Sequence, residues 1–201
     1  MNSKIAIKQL DELKKLIEKN SEKPRLAAEG WDEDWKTLIA IILSAQTRDT
    51  KTIEVCNRLF DKYSTSKELG DAKIGDVETQ IRTLNYYKTK AKNIRETAKI
   101  LSNIKMPETI EELIELPGVG RKTANVFLAE ARNAATIGVD THLSFVSQYL
   151  NWTHNKNPYK IEKDLEKLFP KKYWNKINYI TVSFGQIYNK REQQEILDKL
   201  K

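Results

Sequence analysis

The chain contains few of the residues on which several classes of protein depend. It has one cysteine, Cys56, and two histidines among 201 residues. One thiol excludes an internal disulfide, a cysteine-rich zinc site and an iron–sulfur cluster held by the protein, since such a cluster needs about four thiolates. The sequence therefore predicts no metal site of these kinds.

Long apolar runs are also missing from the sequence. No run approaches the roughly 20 residues that a bilayer span requires. The N-terminal segment MNSKIAIKQLDELKK is charged where a signal peptide has an apolar stretch. We expect an intracellular protein, in the cytoplasm or at the nucleoid, with no membrane partner.

Basic residues outnumber acidic ones. The chain has 35 Lys and Arg against 28 Asp and Glu, a formal net charge of +7. This balance is compatible with a polyanion such as nucleic acid as partner, although many basic proteins bind none. Hydrophobic residues make up 39% of the chain, enough for a core in one compact unit or two small lobes.

The hydrophobic spacing predicts helices from end to end. Leu10, Leu13 and Ile17 lie on one face of a predicted helix over residues 4–19. The segment 35–45 is apolar on almost every side and predicts a central helix surrounded by others. No stretch alternates apolar and polar residues over the length of a strand, so the sequence predicts an all-α fold. Further helices are predicted from an N-cap at Asp49 and over 77–84, 90–104, 107–116, 121–132, 141–149, 158–168 and 173–200, the last with a break near Gly185.

The segment ELPGVGRKTAN at 115–125 predicts a hairpin between two helices. Pro117 ends the first helix, and Gly118 and Gly120, on either side of Val119, allow positive φ and close backbone approach before the second helix begins near Arg121. Its free N–H groups and the helix dipole predict an anion site, for which a DNA phosphate is the natural ligand. The alternative is a helix connection that uses glycine only for its geometry.

The motifs together resemble a known family. LPGVGRKTAN at 116–125, followed by VDTH at 139–142, resembles the helix-hairpin-helix DNA glycosylases, and the endonuclease III family in particular. ILSAQTRD at 42–49 and YYKTKAKNI at 86–94 are similar to two further segments of that family. The resemblance covers nearly the whole chain and implies a two-lobe HhH-GPD fold with a DNA groove between the lobes.

The resemblance implies catalytic roles for two residues. Lys122 would be the nucleophile and Asp140 the catalytic carboxylate, while the alternatives are a surface lysine and an ordinary N-cap. The phosphate clamp would consist of Gly118, Val119, Gly120 and Arg121. The resemblance is compatible with a monovalent cation at this hairpin, and no other cofactor is expected.

The resemblance also implies residues that fill the gap left by an extruded nucleotide. Gln46 would enter from one side and Tyr86 or Tyr87 from the other, whereas core packing is the alternative for the tyrosines. Asn85 stands where the family commonly has glycine before the wedge residue, and asparagine also tolerates positive φ. Three further residues are candidate DNA contacts, each with a local structural alternative: Ser44, Lys90 on a basic edge, and His142.

The C-terminal segment departs from the family pattern. Most endonuclease III proteins carry four cysteines there around an iron–sulfur cluster, whereas this chain has Asn189 and then a charged segment without cysteine. We expect a helical barrel over 24–134 and a second domain from 1–23 and 135–201, held by packing of Trp174, Ile177, Ile180, Val182 and Phe184 against the N-terminal helix.

The implied function is a bifunctional glycosylase and abasic-site lyase of base excision repair. It would remove oxidised pyrimidines from damaged duplex DNA and nick the strand by β-elimination, as a monomer. A mismatch or 8-oxoguanine glycosylase of the same superfamily and a non-catalytic DNA-binding module are the alternatives.

Overall fold

The computed structural model describes residues 2–20 and 24–201, and every regular element in that range is a helix. The all-α prediction is therefore confirmed for these residues. None of their helices is both long and apolar enough to cross a membrane. The elements are α1 (Ser3–Lys19), α2 (Asp34–Ser44), α3 (Asp49–Lys62), α4 (Ser66–Asp71), α5 (Ile74–Ile81), α6 (Tyr87–Leu101), α7 (Ile110–Ile114), α8 (Arg121–Arg132), α9 (Thr141–Tyr149), α10 (Pro158–Leu168), a 3₁₀ turn (Lys171–Tyr173), α11 (Trp174–Ile187) and α12 (Lys190–Leu200).

Capping boxes begin two of the short helices. Thr65 accepts a hydrogen bond from the N–H of Glu68, whose carboxylate returns to the Thr65 N–H, and Thr109 and Glu112 make the same pair. These caps explain two differences from the predicted elements. The hydrophobic pattern does not predict α4, and α7 begins at Ile110 and not at residue 107.

Two other helix ends also differ from the prediction. Asp49 is the first residue of α3, and the N-cap is Arg48, whose side chain makes no capping bond. The helix near the C-terminus runs through Gly185 to Ile187, and the break falls at Tyr188 and Asn189 because the Asn189 side chain caps a new helix there.

The chain divides into two compact units. One consists of residues 25–132 and the other of residues 1–24 together with 133–201. The sequence predicts two domains with boundaries at residues 24 and 134. The hairpin and the segments at 42–49 and 86–94 fall in the first unit, and the VDTH segment falls in the second.

Helix α2 is the centre of the 25–132 unit, as its composition predicts. Leu38, Ile39, Ala40 and Leu43 have no exposed surface. The helix packs against α3, α6 and α8. A helix that is apolar on all sides is stable only when its neighbours cover each face, and here they hold its C-terminal end beside α6.

The second unit has its own core, formed by α1 against α11. Leu10 and Leu13 of α1 and Ile177, Ile180 and Phe184 of α11 all belong to one buried cluster. Trp174 packs at its edge as predicted. Val182 is buried but lies outside this cluster, so its packing against α1 stays a prediction.

Helix α12 occupies the region where the sequence departs from the family pattern. Leu197 is fully buried in the same core. The Gln193 amide donates to the Tyr188 carbonyl over 2.6 Å, and the Gln9 amide of α1 donates to the Leu200 carbonyl over 2.8 Å. Apolar burial and hydrogen bonds to helix ends therefore hold this segment in place.

Replacing Leu197 with alanine is expected to lower the free energy of unfolding by about 2–4 kcal/mol, because the change leaves a cavity in a fully buried site. Urea unfolding followed by circular dichroism measures the loss. The matched control is Gln194→Ala on the exposed face of α12, which is expected to change stability by less than about 0.5 kcal/mol. Equal stability of Leu197→Ala and wild type would show that α12 adds nothing to this core.

Candidate functional site

The hairpin between α7 and α8 is fixed by local and neighbouring groups. The Val119 N–H donates to the Leu116 carbonyl over 3.0 Å, and the Thr97 hydroxyl of α6 donates to the Pro117 carbonyl over 2.8 Å. Gly118 has φ of +79°, and a Cβ there would lie 2.8 Å from the Asn93 amide nitrogen. Gly118 is therefore required both for its backbone conformation and for the close approach of α6.

Gly120 differs from Gly118 in both respects. Its φ lies outside the left-handed region, so of the two glycines that allow positive φ only Gly118 adopts it. A Cβ at Gly120 would meet nothing within 4 Å. This open position directly precedes the first turn of α8, where backbone N–H groups have no acceptor within the helix. Such a position leaves room for a phosphate oxygen against the backbone.

Lys122 is the second residue of α8 and is half-buried, beside the half-buried Arg121. Both side chains therefore start at the N-terminal turn that follows the hairpin. The structure brings the four predicted clamp residues and Lys122 together in one short segment.

Asp140 is the N-cap of α9. Its Oδ1 atom accepts a hydrogen bond from the Leu143 N–H over 2.8 Å, and the side chain is half-buried. Asp140 therefore does cap its helix, which is the alternative role that the sequence leaves open for it. Lys122 belongs to the 25–132 unit and Asp140 to the other unit.

His142 packs within its own unit. A Cβ at Gly185 would lie 2.0 Å from the His142 Nδ1 atom, so the imidazole ring rests on the backbone of α11. This is the local role that the sequence left open, and a DNA contact of the half-buried His142 stays a prediction.

The segment after α2 forms a strained turn that meets the segment before α6. Gln46 is exposed with φ of +53°, and Tyr86 is 67% exposed with φ of +57°. The Asn85 amide donates to the Gln46 carbonyl over 2.8 Å and joins the two turns. The sequence places the tolerance of positive φ at Asn85, whereas in the structure Tyr86 is the residue with positive φ. Tyr87 is the half-buried first residue of α6, so Tyr86 is the tyrosine that presents its ring outward.

Lys90 is buried, which corrects its prediction as part of an exposed basic edge. Only 6% of the residue is exposed. Its ammonium donates to the carbonyls of Leu43 and Ala45 over 2.8 and 2.7 Å and to the Thr47 hydroxyl over 3.0 Å. The last carbonyls of α2 have no partner within that helix, so they attract a cation. Burial lowers the pKa of Lys90 to about 8.

A signal for the burial of Lys90 exists in the sequence. Lys90 lies four residues before Ile94 and eight before Ala98, on the apolar stripe of α6.

The Ser44 hydroxyl also points inward and donates to the Ile41 carbonyl over 2.9 Å. Ser44 thus follows the internal alternative to a DNA contact.

The residues do not fit an iron–sulfur cluster. The one cysteine, Cys56, lies in α3 with no exposed surface, and burial raises the pKa of its thiol to about 12. Cluster ligands are thiolates. The chain therefore has neither the number nor the kind of thiol that a cluster requires.

Known proteins are similar to this chain over most of its length. The model of the HhH-GPD superfamily base excision DNA repair proteins matches residues 39–171. Endonuclease III of Thermotoga maritima is 38% identical over 157 residues, covering 77% of this chain and 74% of that protein. Endonuclease III of Escherichia coli K12 is 35% identical over 170 residues, covering 83% and 79%.

Solved structures give the same result. A trapped endonuclease III–DNA covalent intermediate matches with a TM-score of 0.84 and 32% identity, covering 94% of this chain and 88% of that one. A thermostable thymine-DNA glycosylase matches with a TM-score of 0.81 at 17% identity, which shows a shared fold.

The chain belongs to the HhH-GPD superfamily of base excision DNA repair proteins. Its similarity to endonuclease III in sequence and fold makes it a DNA glycosylase of the endonuclease III type, as the resemblance of its motifs implies.

The two hairpin glycines are expected to respond differently to alanine. Gly118→Ala lowers the free energy of unfolding by about 1–3 kcal/mol, since its φ is positive and its Cβ meets Asn93. Gly120→Ala changes stability by less than about 1 kcal/mol, but its methyl group occupies the space needed by a phosphate. We expect about a tenfold loss of affinity, about 1.4 kcal/mol, for a duplex with a stable abasic analogue, measured by fluorescence anisotropy.

Gly75→Ala is the matched control for Gly120→Ala, because a Cβ at Gly75 also meets nothing within 4 Å and α5 is a different part of the unit. It is expected to bind DNA as wild type does. Wild-type affinity in Gly120→Ala would argue against a phosphate at the hairpin.

Proposed function

We propose that this protein is a bifunctional DNA glycosylase and abasic-site lyase that acts, as a monomer, on oxidised or ring-saturated pyrimidines in duplex DNA. The observation that carries the proposal is the position of Lys122 in the first turn of α8, directly after the Gly118–Gly120 hairpin, in a chain of this family. A phosphate held at the hairpin would bring the sugar of the adjoining nucleotide toward that amine.

The proposed reaction begins when the neutral Nζ of Lys122 attacks C1′ of the extruded nucleotide. The C1′–N bond breaks, and the base leaves with the bonding electrons and takes up the proton that the lysine nitrogen loses on bonding to C1′. The C1′–O4′ bond then breaks and O4′ takes up the second lysine proton, so the sugar ring opens and a Schiff base remains. Loss of a C2′ proton then expels the 3′ phosphate by β-elimination, and water releases the lysine. No oxidant or reductant is consumed.

Asp140 is proposed to accept a proton or to stabilise positive charge on the sugar as the base leaves. Its capping bond to Leu143 uses Oδ1. The capping contact orients the side chain at the start of α9, and the carboxylate charge is the part that the reaction needs. The two roles can be separated experimentally, because asparagine supplies the capping contact and not the carboxylate charge.

Gln46 and Tyr86 are proposed to fill the gap in the duplex. Both are exposed and lie on turns joined by the Asn85 amide. An amide can hydrogen-bond the unpaired base, and an aromatic ring can stack on its neighbours. The similar solved structure of endonuclease III is a trapped covalent intermediate with DNA, which supports covalent chemistry here.

Borohydride is expected to trap the wild-type protein covalently on damaged duplex DNA, since hydride reduces the Schiff base to a stable amine. Duplexes with a ring-saturated pyrimidine, 8-oxoguanine or a mismatch are tested side by side, and trapping is scored by gel mobility. We expect the duplex with the ring-saturated pyrimidine to react fastest. If another duplex reacts faster, its lesion is the preferred substrate. Lys122→Ala is expected to trap at background level and Lys99→Ala, an exposed lysine of α6, at wild-type level.

Trapping of Lys122→Ala at the wild-type rate would remove Lys122 as the nucleophile. A wild-type protein that binds every duplex and traps none would instead indicate a DNA-binding module without catalysis.

Asp140→Asn is expected to keep the cap and lose the chemistry. Asparagine caps helices as well as aspartate does, so the free energy of unfolding stays within about 0.5 kcal/mol of wild type. Base excision under single turnover is expected to slow by about 10²- to 10⁴-fold. Asp61→Asn, at an exposed position of α3, is the control. Unchanged excision by Asp140→Asn would leave the residue with its capping role alone.

A further inference from the structure

Two turns that are about forty residues apart in sequence meet at one junction. The first follows α2 and carries Gln46, and the second precedes α6 and carries Tyr86. Side chains of the second segment donate the hydrogen bonds that join the two turns. Asn85 donates to the Gln46 carbonyl, and Lys90 donates to Leu43, Ala45 and Thr47. The bonds enclose Gln46 from both sides.

The Lys90 ammonium fits this junction by number and by charge. It has three N–H donors, and the three oxygens at 2.7–3.0 Å accept them. All three partners are neutral, so among the described residues no ion pair compensates the buried cation. Lys88 and Lys92 on the same helix are exposed. Lys90 is thus buried because it binds the end of α2, and not because α6 is rich in lysine.

Both turns hold a non-glycine residue in the left-handed region. Gln46 has φ of +53° and Tyr86 has φ of +57°. Such conformations persist where surrounding bonds determine them, and they often occur at sites that must present a side chain in one direction. Here the bonds around Gln46 come from Asn85 and Lys90, which lie on either side of Tyr86 and the first residues of α6.

We propose that Lys90, together with Asn85, is a positioning residue that fixes the Gln46 turn against the Tyr86 turn, so that both side chains enter the duplex at a set separation. The inference rests on the proposed function, since it assigns a purpose to the gap-filling pair. Lys90 itself touches neither DNA nor the reacting atoms. It acts through the carbonyls of Leu43 and Ala45 and the hydroxyl of Thr47.

The test measures insertion into DNA separately from chemistry. The probe is a duplex with a stable abasic analogue opposite 2-aminopurine, whose fluorescence rises when its stacking is disturbed. Wild type is expected to raise the signal. Lys90→Met is expected to lower the rise by at least about fivefold, Asn85→Ala by about twofold, and Lys90→Arg to restore part of it. Lys99→Met, at an exposed site of α6, is the matched control and is expected to equal wild type.

A second readout separates positioning from general damage to the fold. Borohydride trapping on a single-stranded abasic oligonucleotide needs Lys122 but leaves no gap to fill. Lys90→Met is expected to keep single-strand trapping within about twofold of wild type while its duplex signal falls. Equal loss in both assays, with a lower Tm, would show a structural role and overturn the proposal, as would a wild-type duplex signal in Lys90→Met and Asn85→Ala.

The outcomes also separate this inference from the proposed function. A wild-type protein that raises the 2-aminopurine signal but never traps contradicts the lyase chemistry and leaves the positioning role to be judged on the fluorescence of the variants. A variant of Lys90 that fails to fold leaves Asn85→Ala, whose side chain is exposed, to decide the question.

Discussion

The unpaired backbone groups at helix ends are the constraint on which this structure depends. Each helix leaves about four N–H groups at its start and four carbonyls at its end without partners. The described residues satisfy them with side chains, as in the capping boxes of α4, α7 and α12. The candidate site uses the same positions: the hairpin leads into the start of α8, Asp140 caps α9, and Lys90 closes the end of α2.

The same constraint explains how the C-terminal segment is organised without a cluster. A cluster would hold the chain by four covalent bonds to iron, whereas α12 is held by a buried leucine and by amides that bond to free carbonyls. Gln9 caps the end of α12 at Leu200, and Gln193 caps the end of α11 at Tyr188. The core of α1 and α11 is apolar in its own right. The C-terminal segment therefore takes its stability from apolar packing and from hydrogen bonds to helix ends, and it needs no other fold.

Local features of this fold could be predicted from sequence, and contacts between distant segments could not. The largely apolar α2 and the Pro-Gly hairpin depend on residues that are neighbours in the sequence, so the local pattern indicates both directly. The capping box at Thr65 is also local, but α4 is too short for a hydrophobic period to show. The partner of Lys90 is the end of a helix more than forty residues away. Whether a lysine on an apolar stripe extends to solvent or turns inward depends on that partner, and the sequence of α6 does not contain it.

Two lysines of the 25–132 unit lie at opposite kinds of helix end. Lys90 meets the carbonyls of α2, where the negative end of the dipole favours a cation, while Lys122 stands in the first turn of α8, where the positive end opposes one. The opposing effect is only about 0.3–1 kcal/mol, whereas discharging an ordinary lysine at neutral pH requires about 4–5 kcal/mol. In the proposed reaction, exclusion of water by the bound duplex must supply most of the difference. In the proposed function, tight insertion of Gln46 and Tyr86 would therefore serve the chemistry as well as extrusion, because a filled gap excludes water from the reacting groups.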